Sequence, residues 1–352
     1  MSTASTNTLP ATMRAIVLEH FGSPETSLKM QNVPTPTPAP GYAIIKVKAF
    51  GINHAEMHMR RGEWAESMPI IGIECVGVIV SSVPATASSG QALESGTPVI
   101  TLMGGLGRTI NGSYAEYTSA PLTNVVPISH ALVAKLGWAR LGALPETYAT
   151  AWTCLFRNLD VQPGEQLLIR GATSSFGIAA VKLAVNKGAI VSATSRKVER
   201  AEALKALGVQ EVLQEGVALG ERLVLEGRKF DKVLELVGNT TLLGSLKLVR
   251  RGGKLCLAGF LGGLAPIEFN PLLQMASGVH FSFFGSFVFG DEEFPLTDVP
   301  LEELVELLVR GKLQAEPKRV FEFGESGVRE AHRIMEAGQA EGKMVVVVDS
   351  AL

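Results

Sequence analysis

Between Leu167 and Arg200 the apolar positions change period twice. Leu167-Leu168-Ile169 is a short continuous apolar run, FGIAAVKLAVNKG follows with helical spacing, and AIVSATS is again β-branched and apolar. The stretch predicts a strand, a small-residue turn, a helix and a second strand. Two more strand-like runs, KVLELVG and KLCLAGF, come later with amphipathic helical segments between them. Such alternation predicts an α/β unit with a doubly wound parallel sheet. Up to about Leu132 the pattern differs. AIVLEHFG, AIIKVKAFGIN and IECVGVIVSSV are short strand-like clusters bounded by Gly and Pro. The segment VPTPTPAPGY between the first two reads either as a polyproline ligand or as a stiff connection between strands. From Ala131, ALVAKLGWARLGALPETYATAWTCLFRNL is helical in spacing, and the tail predicts helix, strand, helix and a final strand in KMVVVVD.

With 352 residues, 46% hydrophobic and 19% charged, the chain has room for two domains with ordinary cores. The net charge of −2 carries no long run of one sign, so nothing points to nucleic acid or an anionic membrane. Cys75, Cys154 and Cys256 are far apart and form no CxxC pair, which excludes a disulfide framework and a four-cysteine zinc lobe and fits a reducing, cytoplasmic setting. The opening MSTASTNTLPAT has neither the apolar core of a signal peptide nor the arginines of a transit peptide, so residues 1–12 are expected to form a frayed tail. The aromatic run HFSFFGSFVFG is too short to span a bilayer.

The turn Gly171-Ala172-Thr173-Ser174-Ser175-Phe176-Gly177 sits where a helix N-terminus offers unpaired N–H groups to phosphate. Small residues let a pyrophosphate approach the backbone, and Gly177 lets the helix pack on the sheet. The outer glycines are one residue too far apart for G-x-G-x-x-G, but the strand–turn–helix–strand context matches a dinucleotide site. An NAD site places Asp or Glu at the end of the second strand to bind the ribose 2′-hydroxyl. This chain has Thr194-Ser195-Arg196-Lys197 there, with no acid before Glu199. Arg196 can fork onto a 2′-phosphate and Ser195 can donate to it, each charged hydrogen bond contributing roughly 1.5–3 kcal/mol. The expected cofactor is NADPH; the alternative is that Arg196 and Lys197 are a solvated loop pair.

The motifs KVKAFGINHAEMHMRRG, PIIGIECVGVIV, NGSYAEYTSAP, LPETYATAW, PGEQLLIRGATSSFGIAAVKLA, VLELVGNTTLLGSLKLVRRGGKLCLAGF and GKLQAEPKRVFEF with its later GKMVVVV occur in an order that resembles the medium-chain dehydrogenase/reductase superfamily, specifically its zinc-free quinone oxidoreductase branch. The resemblance implies a GroES-like β-rich catalytic domain over 13–135, completed by 291–352, and an inserted Rossmann NADP-binding domain over 136–290. It implies an active site between them and a homodimer. Where the zinc-dependent alcohol dehydrogenases carry their metal ligands, this chain has Asn53, Ile73 and a position near Ala143 or Leu144. No metal is therefore expected. His54 and His58 lie four apart with no third ligand evident.

Without a metal to polarise a carbonyl, the carbon that accepts hydride must already be electron-poor, as in a quinone or an enone, and the anion formed needs hydrogen-bond donors. By similarity Asn53 points its amide at the substrate oxygen, although an Asn there also suits a helix cap. His58 stands where relatives carry a tyrosine, and Tyr148 is a second donor or else a core aromatic with a satisfied hydroxyl. Glu74 is expected to orient its neighbours. The resemblance also implies Thr147 at the nicotinamide, Val237 and Gly238 beside the cofactor, Gly259, Phe260, Leu261, Phe283, Phe284 and Gly285 on the nicotinamide side, and Lys343 among the cofactor residues. Trp64, Phe260 and Phe284 would wall a flat substrate; the 280–290 run suits a dimer interface equally well. Two other functions stay open: a trans-acting enoyl reductase on an acyl chain tethered to a carrier protein, and a non-catalytic NADPH-binding protein.

Overall fold

The computed structural model describes residues 9–64, 66–85 and 92–349. The chain divides into two compact units. One comprises the described residues up to Glu146, with Ser286–Gly311 and those from Ala315 onward; the other comprises Thr147–Gly285 with Lys312–Gln314. Among the described residues no helix is long and apolar enough to cross a membrane.

The first unit is β-rich. Strands β1 (Thr12–Leu18) and β2 (Leu28–Pro34) form an antiparallel pair. The main sheet contains β3 (Tyr42–Ile52), β4 (Glu74–Val83), β5 (Pro98–Leu102), β6 (Tyr117–Pro121) and β7 (Val125–Pro127). Its order is β14-β15-β3-β4-β5-β7, with β6 also on β3; β14 (Arg319–Glu322) and β15 (Met344–Val347) come from the C-terminal segment. The Pro-rich segment is the connection from β2 to β3. The structure differs from the expected extents at Thr12 and at both domain boundaries. Residues 1–8 of the expected tail lie outside the described residues, and Thr12 is already paired with Pro34 in β1. The boundary expected at 136 falls inside the helix His130–Leu141. That helix packs on β3 and β15: a Cβ at the following Gly142 would stand 3.1 Å from Ala49 and Val345. The boundary expected at 290 comes after Gly285, because Asn124 donates to the Phe289 carbonyl at 2.8 Å and Ser286 to Glu146 at 3.1 Å within the β-rich unit.

The second unit is a six-stranded, wholly parallel sheet, ordered β10-β9-β8-β11-β12-β13. Its strands are β8 (Gln166–Arg170), β9 (Ile190–Ser195), β10 (Glu211–Gln214), β11 (Phe230–Glu235), β12 (Val249–Leu257) and β13 (His280–Phe283). A parallel strand covered on both faces reads as a continuous apolar run, and Leu167, Leu168 and Ile169 of β8 are fully buried. The helix Ser175–Lys187 buries Gly177, Ala179, Ala180, Val181, Leu183 and Ala184, small enough to bring it close to the sheet. It ends at Gly188, whose φ of +89° is the left-handed cap that favours glycine.

Candidate active site

In the parallel-sheet unit, β8 runs into Gly171 at φ +79°, which reverses the chain under the helix Ser175–Lys187. Ser174 caps that helix, accepting from the Gly177 N–H at 3.0 Å and donating to the Gly171 carbonyl at 2.9 Å. A Cβ on Gly177 would stand 2.5 Å from the Gly171 oxygen and 2.6 Å from Ala172 Cα, so only glycine lets the turn close. Beside this turn lies a cleft of about 230 Å³. Of the expected cofactor residues, Thr173, Ser195, Arg196, Val237 and Leu261 line it, together with Gly171. Ala172 is buried beneath the turn, and Ser175 and Phe176 open the helix. Gly238, at φ +93°, lets the turns after β11 and β12 touch: a Cβ there would lie 2.7 Å from the Gly259 oxygen.

Other expected residues lie elsewhere. Lys197 is exposed and outside the cleft lining; its N–H and carbonyl both bond the Ser195 hydroxyl, at 3.1 and 2.8 Å. Phe260 packs its ring 6.1 Å from Phe283, which is exposed on the edge strand β13, whereas Phe284 is buried; Gly285 closes the unit. The substrate-wall role expected of Phe284 therefore does not match its burial. Thr147 is buried in the first turn of the helix Pro145–Trp152. Tyr148 is the core aromatic with a satisfied hydroxyl. Burial pushes its phenol up, and it donates to the Gln314 carbonyl at 2.5 Å, which leaves no proton to offer a substrate.

In the β-rich unit, Asn53 precedes the helix His54–Arg61 and caps it reciprocally, its N–H donating to Glu56 at 2.8 Å. Its side-chain amide donates to Glu74 at 2.8 Å, and its oxygen accepts from the Lys343 ammonium at 2.5 Å. Lys343 also donates to Glu74 at 2.5 Å, and the other Glu74 oxygen accepts from the Glu146 N–H at 2.7 Å. Gly51 makes room for this pair; a Cβ there would overlap the Glu74 carboxylate and the Lys343 stem. The amide of Asn53 is thus committed to carboxylates rather than aimed at a substrate. Lys343, expected among the cofactor residues, is drawn into this cluster by the Glu74 charge. Glu56 is fully buried, and burial, with the Glu74 charge adding and Lys343 opposing, pushes its carboxyl up to about 7. His58 holds Nδ1 on Glu63 at 2.5 Å and stacks parallel to Trp64, their centroids 6.4 Å apart. The Arg108 guanidinium lies 5.8 Å from the Trp64 ring. Among the described residues no group of three or more His, Cys, Asp or Glu side chains is placed to hold a metal.

The family profile "Alcohol dehydrogenase GroES-like domain" matches residues 39–130, and "Zinc-binding dehydrogenase" matches residues 207–346. The chain is similar to the quinone oxidoreductase of Pongo abelii, with 29% identity over 342 residues, 96% of this chain and 98% of that one. Against the quinone oxidoreductase of Mus musculus the identity is 30% over 271 residues, 75% of this chain and 77% of the relative. The chain belongs to the medium-chain dehydrogenase/reductase superfamily, in its quinone oxidoreductase-like branch. The crystal structure of AibC shares the fold, with a TM-score of 0.82 at 24% identity over 99% of both chains.

As a medium-chain dehydrogenase/reductase, the chain carries a GroES-like unit and a Rossmann-like parallel sheet, and it is an oxidoreductase of a family that binds a nicotinamide cofactor. Sequence reasoning missed part of this cleft's lining, formed by Glu215, Gly216, Val217, Thr240, Thr241 and Gly262. No local signal marks them: Glu215, Gly216 and Val217 reach the cleft because β10 lies beside β9, and Thr240, Thr241 and Gly262 because they follow β11 and β12.

Proposed function

We propose that this chain is a zinc-independent, NADPH-dependent reductase of quinones or of the activated C=C bond of enones. The observation that carries the cofactor choice is Arg196, exposed at the end of β9 and lining the cleft beside the Gly171 turn. The turn fits a dinucleotide because it leads into a helix N-terminus beside the cleft, with Gly177 and Gly238 letting the chain close tightly around it. When bound, NADPH would supply hydride to an electron-poor carbon. Arg196 would hold the 2′-phosphate in a fork, with Thr194 and Ser195 at the same strand end.

In the β-rich unit, Asn53 and Ile73 occupy two of the positions where zinc-dependent relatives would hold metal, and the Lys343 ammonium bonds Asn53 there. That cation is paired with the buried Glu74 carboxylate, so the place holds a neutralised ion pair and the carbon that accepts hydride must be electron-poor in its own right. Reduction of C=C also consumes one proton. With Asn53 and Tyr148 committed to other acceptors, His58 is the remaining expected donor: its Nδ1 is fixed on Glu63, and the other ring nitrogen bonds nothing among the described residues. The apolar edge of β13, with Phe281 and Phe283 exposed, supports a homodimer, and three buried cysteines in the thiol form suit the cytoplasm.

The test is oxidation of NADPH by the pure protein against a para-quinone, a short enone, an enoyl thioester and a simple ketone, with products identified. Reduction of the quinone or enone with the ketone untouched is expected. Turnover of the ketone alone would contradict the proposal, and turnover of the thioester alone would move the substrate to a carrier-bound acyl chain.

A further inference from the structure

The cofactor cleft does contain an acid, contributed by the neighbouring strand. β9 and β10 run parallel with Ser195 opposite Gln214, so Arg196 and Glu215 are the next residues along, and both line the cleft. The Glu215 N–H donates to the Ser195 carbonyl at 2.8 Å, and the Gln214 side chain donates to the Arg196 carbonyl at 2.9 Å. An unpaired carboxylate at this place would oppose a 2′-phosphate as an acid at the end of β9 would. Glu215 is instead turned onto Arg170, the last residue of β8, which donates to both carboxylate oxygens.

Arg170 is fully buried, and its remaining donors are spent on the same cleft. It bonds the Gly216 carbonyl at 3.2 Å, the Thr241 carbonyl at 3.3 Å and the Ser245 hydroxyl at 3.0 Å. Its Nε lies 3.9 Å from Glu235, whose carboxylate accepts from the Val237 and Gly238 N–H groups at 2.8 and 3.0 Å. One buried guanidinium thus ties the 215–217 wall to the 237–241 wall. Arg196, by contrast, is exposed and has no ion-pair partner among the described residues.

We propose that Arg170 is a specificity-determining positioning residue: by holding and neutralising Glu215, it leaves Arg196 as the uncompensated charge at the ribose end of the cleft and so admits a 2′-phosphate. This rests on the reading of the cleft as an NADPH site. It makes cofactor preference a matter of charge balance across two strands, with Glu215 as the acid that would otherwise oppose the phosphate.

The test is calorimetric titration of the full chain with 2′,5′-ADP and with 5′-AMP, which differ by the one phosphate. The wild-type protein should prefer 2′,5′-ADP. Glu215→Gln should tighten 2′,5′-ADP roughly five-fold, the effect of one charge several ångströms from a dianion in partly screened surroundings, and change 5′-AMP by clearly less. Arg170→Met should lower the preference, Arg170→Met with Glu215→Gln should restore it, and Arg170→Lys should largely keep it. A purely structural role for Arg170 would weaken both probes together and would not be rescued by Glu215→Gln. If Arg170→Met does not fold, Glu215→Gln and Arg170→Lys still decide. A wild-type preference that Glu215→Gln leaves unchanged, or shifts equally for both probes, overturns the charge-balance proposal alone. A wild-type protein with no preference overturns the NADPH reading, and this proposal with it.

Discussion

In each unit a buried cation lies against acids at the candidate site, and the two cations are used differently. Arg170 lies between Glu215 and Glu235, its planar donors spread over two carboxylates, two carbonyls and a hydroxyl. Lys343 lies against Glu74 and Asn53, with Glu56 close enough to feel its charge. A guanidinium is a rigid fork that fixes the geometry of whatever it holds, whereas an ammonium is a compact point charge on a flexible stem. The arginine accordingly ties together the two walls of a binding cleft. The lysine is neutralised by Glu74 at a position that zinc-dependent relatives are expected to fill with metal, and four hydrogen bonds tie Asn53 to Glu56, Glu74 and Lys343.

Breaking the lysine cluster should have the largest effect. Lys343→Met would leave the fully buried Glu74 without its cation, a loss of about 3–5 kcal/mol in stability. Urea unfolding checks this, and a loss under 1 kcal/mol would mean the cluster is held by other contacts.

Glu56 sharpens the comparison through pH. Its folded-state value of about 7 lies above the ordinary 4.5, so the folded protein binds the extra proton between those values. The stabilisation is complete below about pH 4.5 and is lost as pH rises to about 7, a decline on the order of 3 kcal/mol. Glu56→Gln should flatten that decline in stability–pH curves. An unchanged slope would place the titration elsewhere.

On the other unit, Arg196→Ala should weaken NADPH binding roughly ten- to a hundred-fold and NADH binding little, as befits loss of one or two charged hydrogen bonds. Equal losses in titrations of both cofactors would remove Arg196 from the phosphate site. The smallest effect is expected of Tyr148→Phe: about 1 kcal/mol of stability from the Gln314 hydrogen bond, with the pH profile of turnover unchanged. A collapse of turnover would return the phenol to the proton donors.

The two regions also differed in how much the chain revealed. The Gly171 turn, its helix and Arg196 are built from nearly consecutive residues, so period and spacing located them, and the turn's glycines are required by backbone contacts that local sequence implies. Glu215 escaped notice because its place in the cleft depends on β10 lying beside β9, a pairing set by the sheet rather than by spacing. The Asn53 cluster was legible only as a helix cap, for a similar reason. Lys343 is 290 positions away from Asn53 in the chain, and only β15 pairing with β3 brings them together. With a lysine and two glutamates in reach, an asparagine amide that looked free in sequence is fully engaged. Tyr148 was settled by a carbonyl at Gln314, again from a distant segment.

The central proposal is that the β-rich unit works without zinc at the place where Lys343, paired with Glu74, bonds Asn53. The most direct measurement is NADPH-dependent reduction of an enone by protein dialysed against a strong chelator, with bound metal quantified in the same sample. The account predicts no stoichiometric zinc and an unchanged rate. A rate that disappears on chelation and returns with one zinc per chain would contradict it.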